Sequence, residues 1–124
     1  MKPKDRRDID WLEDILEGIR RIEQYTSDVS EQRFMADGLL QDAVCRNFEV
    51  IGEAARNLIA YCPHIIAKAG DIRWKVMYQM RNALIHGYYI VDIPTVWKSL
   101  KEDVPLLRAR VQELIEGLNS IGRQ

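Results

Sequence analysis

The sequence predicts an all-α protein, a single domain over residues 1–124 folded as an antiparallel four-helix bundle. Three observations carry this. Four segments place apolar residues at three- and four-residue spacing, as amphipathic helices do. No stretch of useful length alternates as a half-buried strand would, and Asp, Pro and Gly fall where such helices start and stop. The 124 residues are 47% hydrophobic, ordinary for one globular domain and too few for a multi-domain enzyme.

In the first segment Ile9, Leu12, Ile15, Leu16, Ile19 and Ile22 form one stripe, with Glu13, Glu17, Arg20 and Arg21 on a solvated face. It ends in the polar stretch 26–30. A second helix is expected from near Ser30 to about Tyr61, carrying Leu40, Val44, Ile51, Ala54, Ala55 and Leu58 until Cys62-Pro63 stops it. Such a helix would extend ~45 Å, more than a domain of this size needs, so it should bend, fray or pack on another chain. Gly52 in its middle costs about 1 kcal/mol against Ala, a cost explained by close approach of another helix.

Residues 63–70 read as a loop. Asp71 is the expected N-cap of a third helix, which Gly87 terminates directly after His86. Asp92 caps a fourth with Val96, Trp97, Leu100, Val104, Leu107, Val111, Leu114 and Leu118 on its apolar face; Pro105 should kink it, and residues 120–124 should fray. No repeat, low-complexity linker or Gly/Ser-rich hinge interrupts the pattern.

With 18 Lys+Arg against 19 Asp+Glu, the net charge of -1 excludes charge-driven coating of nucleic acid, so any polyanion site must be small. Residues 71–90 set Arg73, Lys75 and Arg81 against Asp71 alone, a local excess of positive charge. The first residues are followed by no long apolar run, so no secretory signal is expected, and nothing approaches the ~20 apolar residues of a membrane span. A cytoplasmic protein is expected, with Cys45 and Cys62 as small buried hydrophobes rather than a disulfide.

The third helix carries two apolar faces. Val76, Met77, Met80, Ala83 and Leu84 fall on the arc expected to face the core; the opposite arc holds Trp74, Tyr78, Asn82, Ile85 and Tyr89. Arg81 and His86 stand on its two margins, about 140° apart. Two readings are open: the second face meets a copy of itself in a homodimer, which would bring Arg and His margins together across a two-fold axis, or the aromatics cover the ends of the second helix.

Arg81, Asn82 and His86 suit a phosphodiester. Arginine offers a permanently charged fork for phosphate oxygens, asparagine can donate to the same group, and histidine titrates near neutrality. Because the 2′-hydroxyl of RNA is an internal nucleophile, a base or acid and a cation suffice to cut it without a metal. The same residues also fit a surface ion pair, an exposed amide and a helix-end histidine. His64 reads as a surface residue. Cys62 and His64 lack a second ligand pair for a metal, and no glycine-rich phosphate loop or Ser/Cys nucleophile with a nearby base occurs.

The stretch Arg81-Asn-Ala-Leu-Ile-His86-Gly-Tyr88 resembles the R-x-x-x-x-H-x-Y signature of HepT-like HEPN-domain proteins. The resemblance extends to Arg46-Asn-Phe-Glu-Val-Ile-Gly-Glu-Ala-Ala55 and to Val91-Asp92 with Val96-Trp97, covering roughly residues 8 to 115. It implies a HEPN-like homodimer whose two motifs line one cleft, acting as a metal-independent endoribonuclease toxin with RNA as substrate and no cofactor. It also implies a partner, a minimal nucleotidyltransferase antitoxin that transfers AMP from ATP to Tyr88. On that pattern Arg81 and His86 are catalytic, Asn82 supports them and Tyr88 is modified. A non-catalytic HEPN subunit that binds nucleotide or docks a nucleotidyltransferase is the rival expectation, and a purely structural dimer the third.

Overall fold

The computed structural model describes residues 5–86 and 92–122. Among these, seven helices and no strand occur: α1 (Asp8–Thr26), α2 (Glu31–Ala36), α3 (Gly38–Tyr61), α4 (Pro63–Lys68), α5 (Trp74–His86), α6 (Ile93–Glu102) and α7 (Val104–Gly122). Six of them realise the four expected helices, with the second and fourth each divided, and α4 is additional. α3 is central, packed by α1 and by α5, while α7 lies against α1 and α6.

The stripe on α1 goes inward: Leu12, Ile15, Ile19 and Ile22 are fully buried, with Leu16 packed partly against the core. On its outer face Glu17 pairs with Arg20 and Arg21, both at 3.1 Å. α1 and α3 run antiparallel, since Trp11 stacks on Tyr61 (ring centroids 5.9 Å apart) while Gly18, further along α1, meets Asn47 and Ile51. A Cβ at Gly18 would lie 2.8 Å from Ile51 Cγ1, so the small residue sets how closely these helices pack.

The long second helix bends by breaking at Asp37. Ser30 caps α2 by accepting from the Arg33 N–H at 3.1 Å. Asp37 then leaves helical geometry (φ -116°, ψ 94°) and caps α3 by accepting from the Leu40 N–H at 3.0 Å. Gln41 Nε2 donates to the carbonyls of Phe34 and Met35 at the end of α2, and the Phe34 carbonyl also accepts from the Asp37 N–H at 3.4 Å. The break lets Phe34 turn into the core, fully buried 5.0 Å from the Trp97 ring.

Residues 63–70, read from sequence as a loop, instead contain α4. Pro63 stands in its first turn, where the missing N–H costs nothing, and Ile65 is buried. Asp71 is not the cap of the third helix, because α5 begins at Trp74 and the Asp71 carboxylate is taken by Arg110 Nε at 3.0 and 3.2 Å. That bond holds the Asp71 carboxyl below the usual carboxylate range.

Asp92 caps α6, accepting from the Thr95 N–H at 3.3 Å. The fourth helix divides at Asp103, two residues before Pro105, whose absent N–H leaves the Lys101 carbonyl without its helical donor. Val96, Trp97, Leu100, Val104, Val111 and Leu114 are buried as expected. Helix persists through Ser120 and Ile121, where fraying was expected. Cys45 and Cys62 are not joined in a disulfide; Cys62 is buried and Cys45 half-buried. No helix of the described residues is long and apolar enough to cross a membrane.

Candidate functional site

α5 crosses α3 at Gly52. A Cβ there would meet Arg81 Cβ at 2.2 Å and the Met77 carbonyl oxygen at 2.6 Å, so only glycine permits this approach. The contact turns Arg81 toward α3 rather than leaving it on an outer margin of α5. Trp74, expected on the opposite arc, is buried and donates its indole N–H to the Ala69 carbonyl at 3.0 Å. Met77, Met80 and Leu84 pack on the core as predicted, but Val76 and Ala83 are exposed. The helix is rotated from the expected wheel because the crossing at Gly52 sets Met77 and Arg81 against α3.

Beside that crossing, α1, α3 and α5 form an open cavity of about 360 Å³ whose lining includes Trp11, Asp14, Glu49, Glu53, Arg81 and Ile85, together with Arg6 and Arg46. Arg81 is half-buried. Its Nη1 donates to Asn82 Oδ1 at 2.8 Å, and its Nη2 stands 3.2 Å from Glu53 Oε2. Two buried atoms in this group, Arg81 Nε and Glu53 Oε2, have no hydrogen-bond partner among the described residues. The pair is therefore held by charge without aligned hydrogen bonds. Glu53 Oε1 is also 3.4 Å from Arg56 Nη1.

All three arginines of the cavity have a carboxylate beside them: Arg6 with Asp14, Arg46 with Glu49 at 3.2 Å, and Arg81 with Glu53. Of the positive charges read along residues 71–90, Arg81 thus meets an acidic group from another helix. Asn82 joins Arg81 directly. His86 is the last residue of α5, about 140° around the helix from Arg81, and Tyr88 with Gly87 and Tyr89 lies outside the described residues.

Glu53 is the functional candidate that sequence reasoning did not single out. Its signal was present: a glycine in mid-helix marks a crossing, and the residue beside it must neighbour whatever crosses. His64 is exposed and 3.0 Å from Asp8 Oδ2, a surface contact as expected. No group of three or more His, Cys, Asp or Glu side chains among the described residues could hold a metal ion. Burial, reinforced by Asp42 and Glu49, pushes the Cys45 thiol up to about 11, far from a reactive thiolate. A second, apolar groove of about 400 Å³ lies between α3, α5 and α7, with Val76 and Leu106 exposed at its rim.

Residues 15–114, most of the chain, match the HepT-like family, described as Ribonuclease HepT-like. The chain belongs to the HepT-like ribonuclease family. Among HepT-like relatives, "Probable ribonuclease HepT" of Thermococcus cleftensis is 40% identical over 106 residues, 85% of this chain and 93% of that protein. "Gamma-glutamylcyclotransferase and putative RNase" of Methanocaldococcus jannaschii is 39% identical over 115 residues, 92% of this chain but 50% of that protein. A further protein of that organism, named as a putative RNase, is 35% identical over 108 residues, 86% of this chain and 96% of its own length. No solved structure matches the chain.

Proposed function

We propose that this HepT-like protein is a metal-independent endoribonuclease toxin, working as a homodimer and silenced by a cognate nucleotidyltransferase. The observation that carries the reading is Arg81, held at a cavity by Glu53 and Asn82 and five residues before His86 on one helix. The curated relatives named as ribonucleases support RNA as the substrate.

In this reading Arg81 binds the scissile phosphate and offsets charge developing on its oxygens, with Asn82 orienting the guanidinium. The RNA 2′-oxygen attacks phosphorus, the bond to the 5′-oxygen breaks, and a 2′,3′-cyclic phosphate and a 5′-hydroxyl result. His86 moves the proton, either taking it from the 2′-hydroxyl or giving it to the leaving 5′-oxygen, and the histidine of the second copy does the other half. Ile85, 44% exposed at the cavity one residue before His86, supports an interface at this end of α5.

Purified protein incubated with RNA in EDTA should cleave it, and Arg81→Ala and His86→Ala should each lower the rate by about 100-fold or more. Equal cleavage by all three proteins, or cleavage only after a divalent metal is restored, would overturn the reading.

Silencing follows from Tyr88. Its phenolic oxygen attacks the α-phosphorus of ATP in the partner enzyme, pyrophosphate leaves, and the phenolic proton passes to solvent. The added AMP places a phosphate close enough in sequence to the motif to compete for Arg81. Tyr88→Phe should therefore keep its ribonuclease activity in the presence of ATP and the nucleotidyltransferase, as followed by intact mass and by cleavage. Modification and silencing of that variant would remove Tyr88 from the mechanism.

A further inference from the structure

We propose that Glu53 is the group a substrate phosphate displaces, so that the Arg81–Glu53 pair is the resting state of the site and Glu53 sets how tightly it takes an RNA phosphate. The inference rests on Arg81 being the phosphate-binding residue.

Three observations support displacement. The Arg81 guanidinium already spends one nitrogen on Asn82 and another on Glu53, so a phosphate cannot engage the full fork while the carboxylate stays. The pair is poorly made for permanence: Nη2 and Oε2 are 3.2 Å apart, yet Oε2 has no aligned donor and Arg81 Nε no acceptor, although both atoms are buried. A buried donor without an acceptor is costly, and an incoming phosphate oxygen, which accepts from several donors at once, can relieve it. Finally, the displaced carboxylate keeps a partner. Arg56 Nη1 already donates to Glu53 Oε1 at 3.4 Å on the exposed side of α3, so Glu53 stays paired when its other oxygen gives up Arg81.

A purely structural Glu53 makes the opposite prediction. If the carboxylate only anchored Arg81 in place, removing its charge would loosen the arginine and weaken phosphate binding. As a competing anion, Glu53 lost to Gln keeps the side-chain volume and a weaker acceptor while freeing the full charge of Arg81.

The experiment measures binding of a fluorescent all-2′-deoxy oligonucleotide, which cannot be cleaved, to the full chain at low and moderate salt. Glu53→Gln should bind it about two- to fivefold more tightly than the unaltered protein, the range a partly exposed ion pair commands, with a steeper salt dependence. The gain should vanish in an Arg81→Ala background. Glu53→Asp, which keeps the charge but withdraws the carboxylate, should fall between the two and serves where the Gln variant fails to fold. Unchanged or weaker binding by these variants, with Arg81→Ala still impaired, overturns the displacement and leaves Arg81 as phosphate ligand. Undiminished binding by Arg81→Ala overturns both.

Discussion

A single missing side chain organises the site. At Gly52 the two helices touch so closely that a methyl group would overlap Arg81 Cβ and the Met77 carbonyl. Gly52→Ala adds helix propensity worth about 1 kcal/mol, but the overlap falls on groups that cannot swing away, so we expect a net loss of roughly 2 kcal/mol, read as a lower midpoint in urea unfolding. An unchanged midpoint would mean the helices part without penalty. The sequence shows the glycine and the arginine plainly. It does not show their meeting, because Glu53 and Arg81 are separated by 27 intervening residues and helical spacing alone does not report which row of α5 faces α3. The wheel accordingly set Trp74 on the arc opposite the core face and Val76 on the core face, whereas packing buries Trp74 and exposes Val76.

At the scale of elements, the polar side chains at the breaks decide where helices end. Asp37 closes α2 and opens α3, accepting from Leu40 N–H, while Gln41 reaches back to two carbonyls at the end of α2. Asp37→Ala should cost about 1 kcal/mol through the lost cap, measurable by thermal or urea unfolding. A stability gain would instead mean that one continuous helix is the better structure. The amphipathic stripes, the start near Ser30, the Asp92 cap and the division near Pro105 were all legible, because each is written in local spacing. The break at Asp37 was legible only as excess length. α4 was missed because six residues show less than two turns of periodicity, and the Asp71 cap was misplaced because a remote arginine on α7 claims its carboxylate.

For the whole molecule, a near-zero net charge goes with matched pairs at the cavity. The arginines of the cavity each sit beside an acid from its own walls. A working unit of two chains would join two such cavities, and the proposed homodimer is the prediction that belongs here. Sedimentation at micromolar concentration should show a dimer, and Ile85→Asp, which sets a charge on an exposed apolar position near the end of α5, should shift it to monomer while the helical circular dichroism is kept. A monomeric unaltered protein would remove the shared cleft and leave each Arg81 to act with its own histidine.

The contact at Gly52 also bears on time. Backbones locked in direct contact cannot slide past one another without opening the core, and such shifts take microseconds to milliseconds, whereas side chains at a cavity wall rotate in nanoseconds. Rearrangement around Arg81 is therefore confined to rotamers of Arg81, Glu53 and Arg56 turning on a fixed frame, and the cavity can answer an arriving ligand faster than the helices that build it can move.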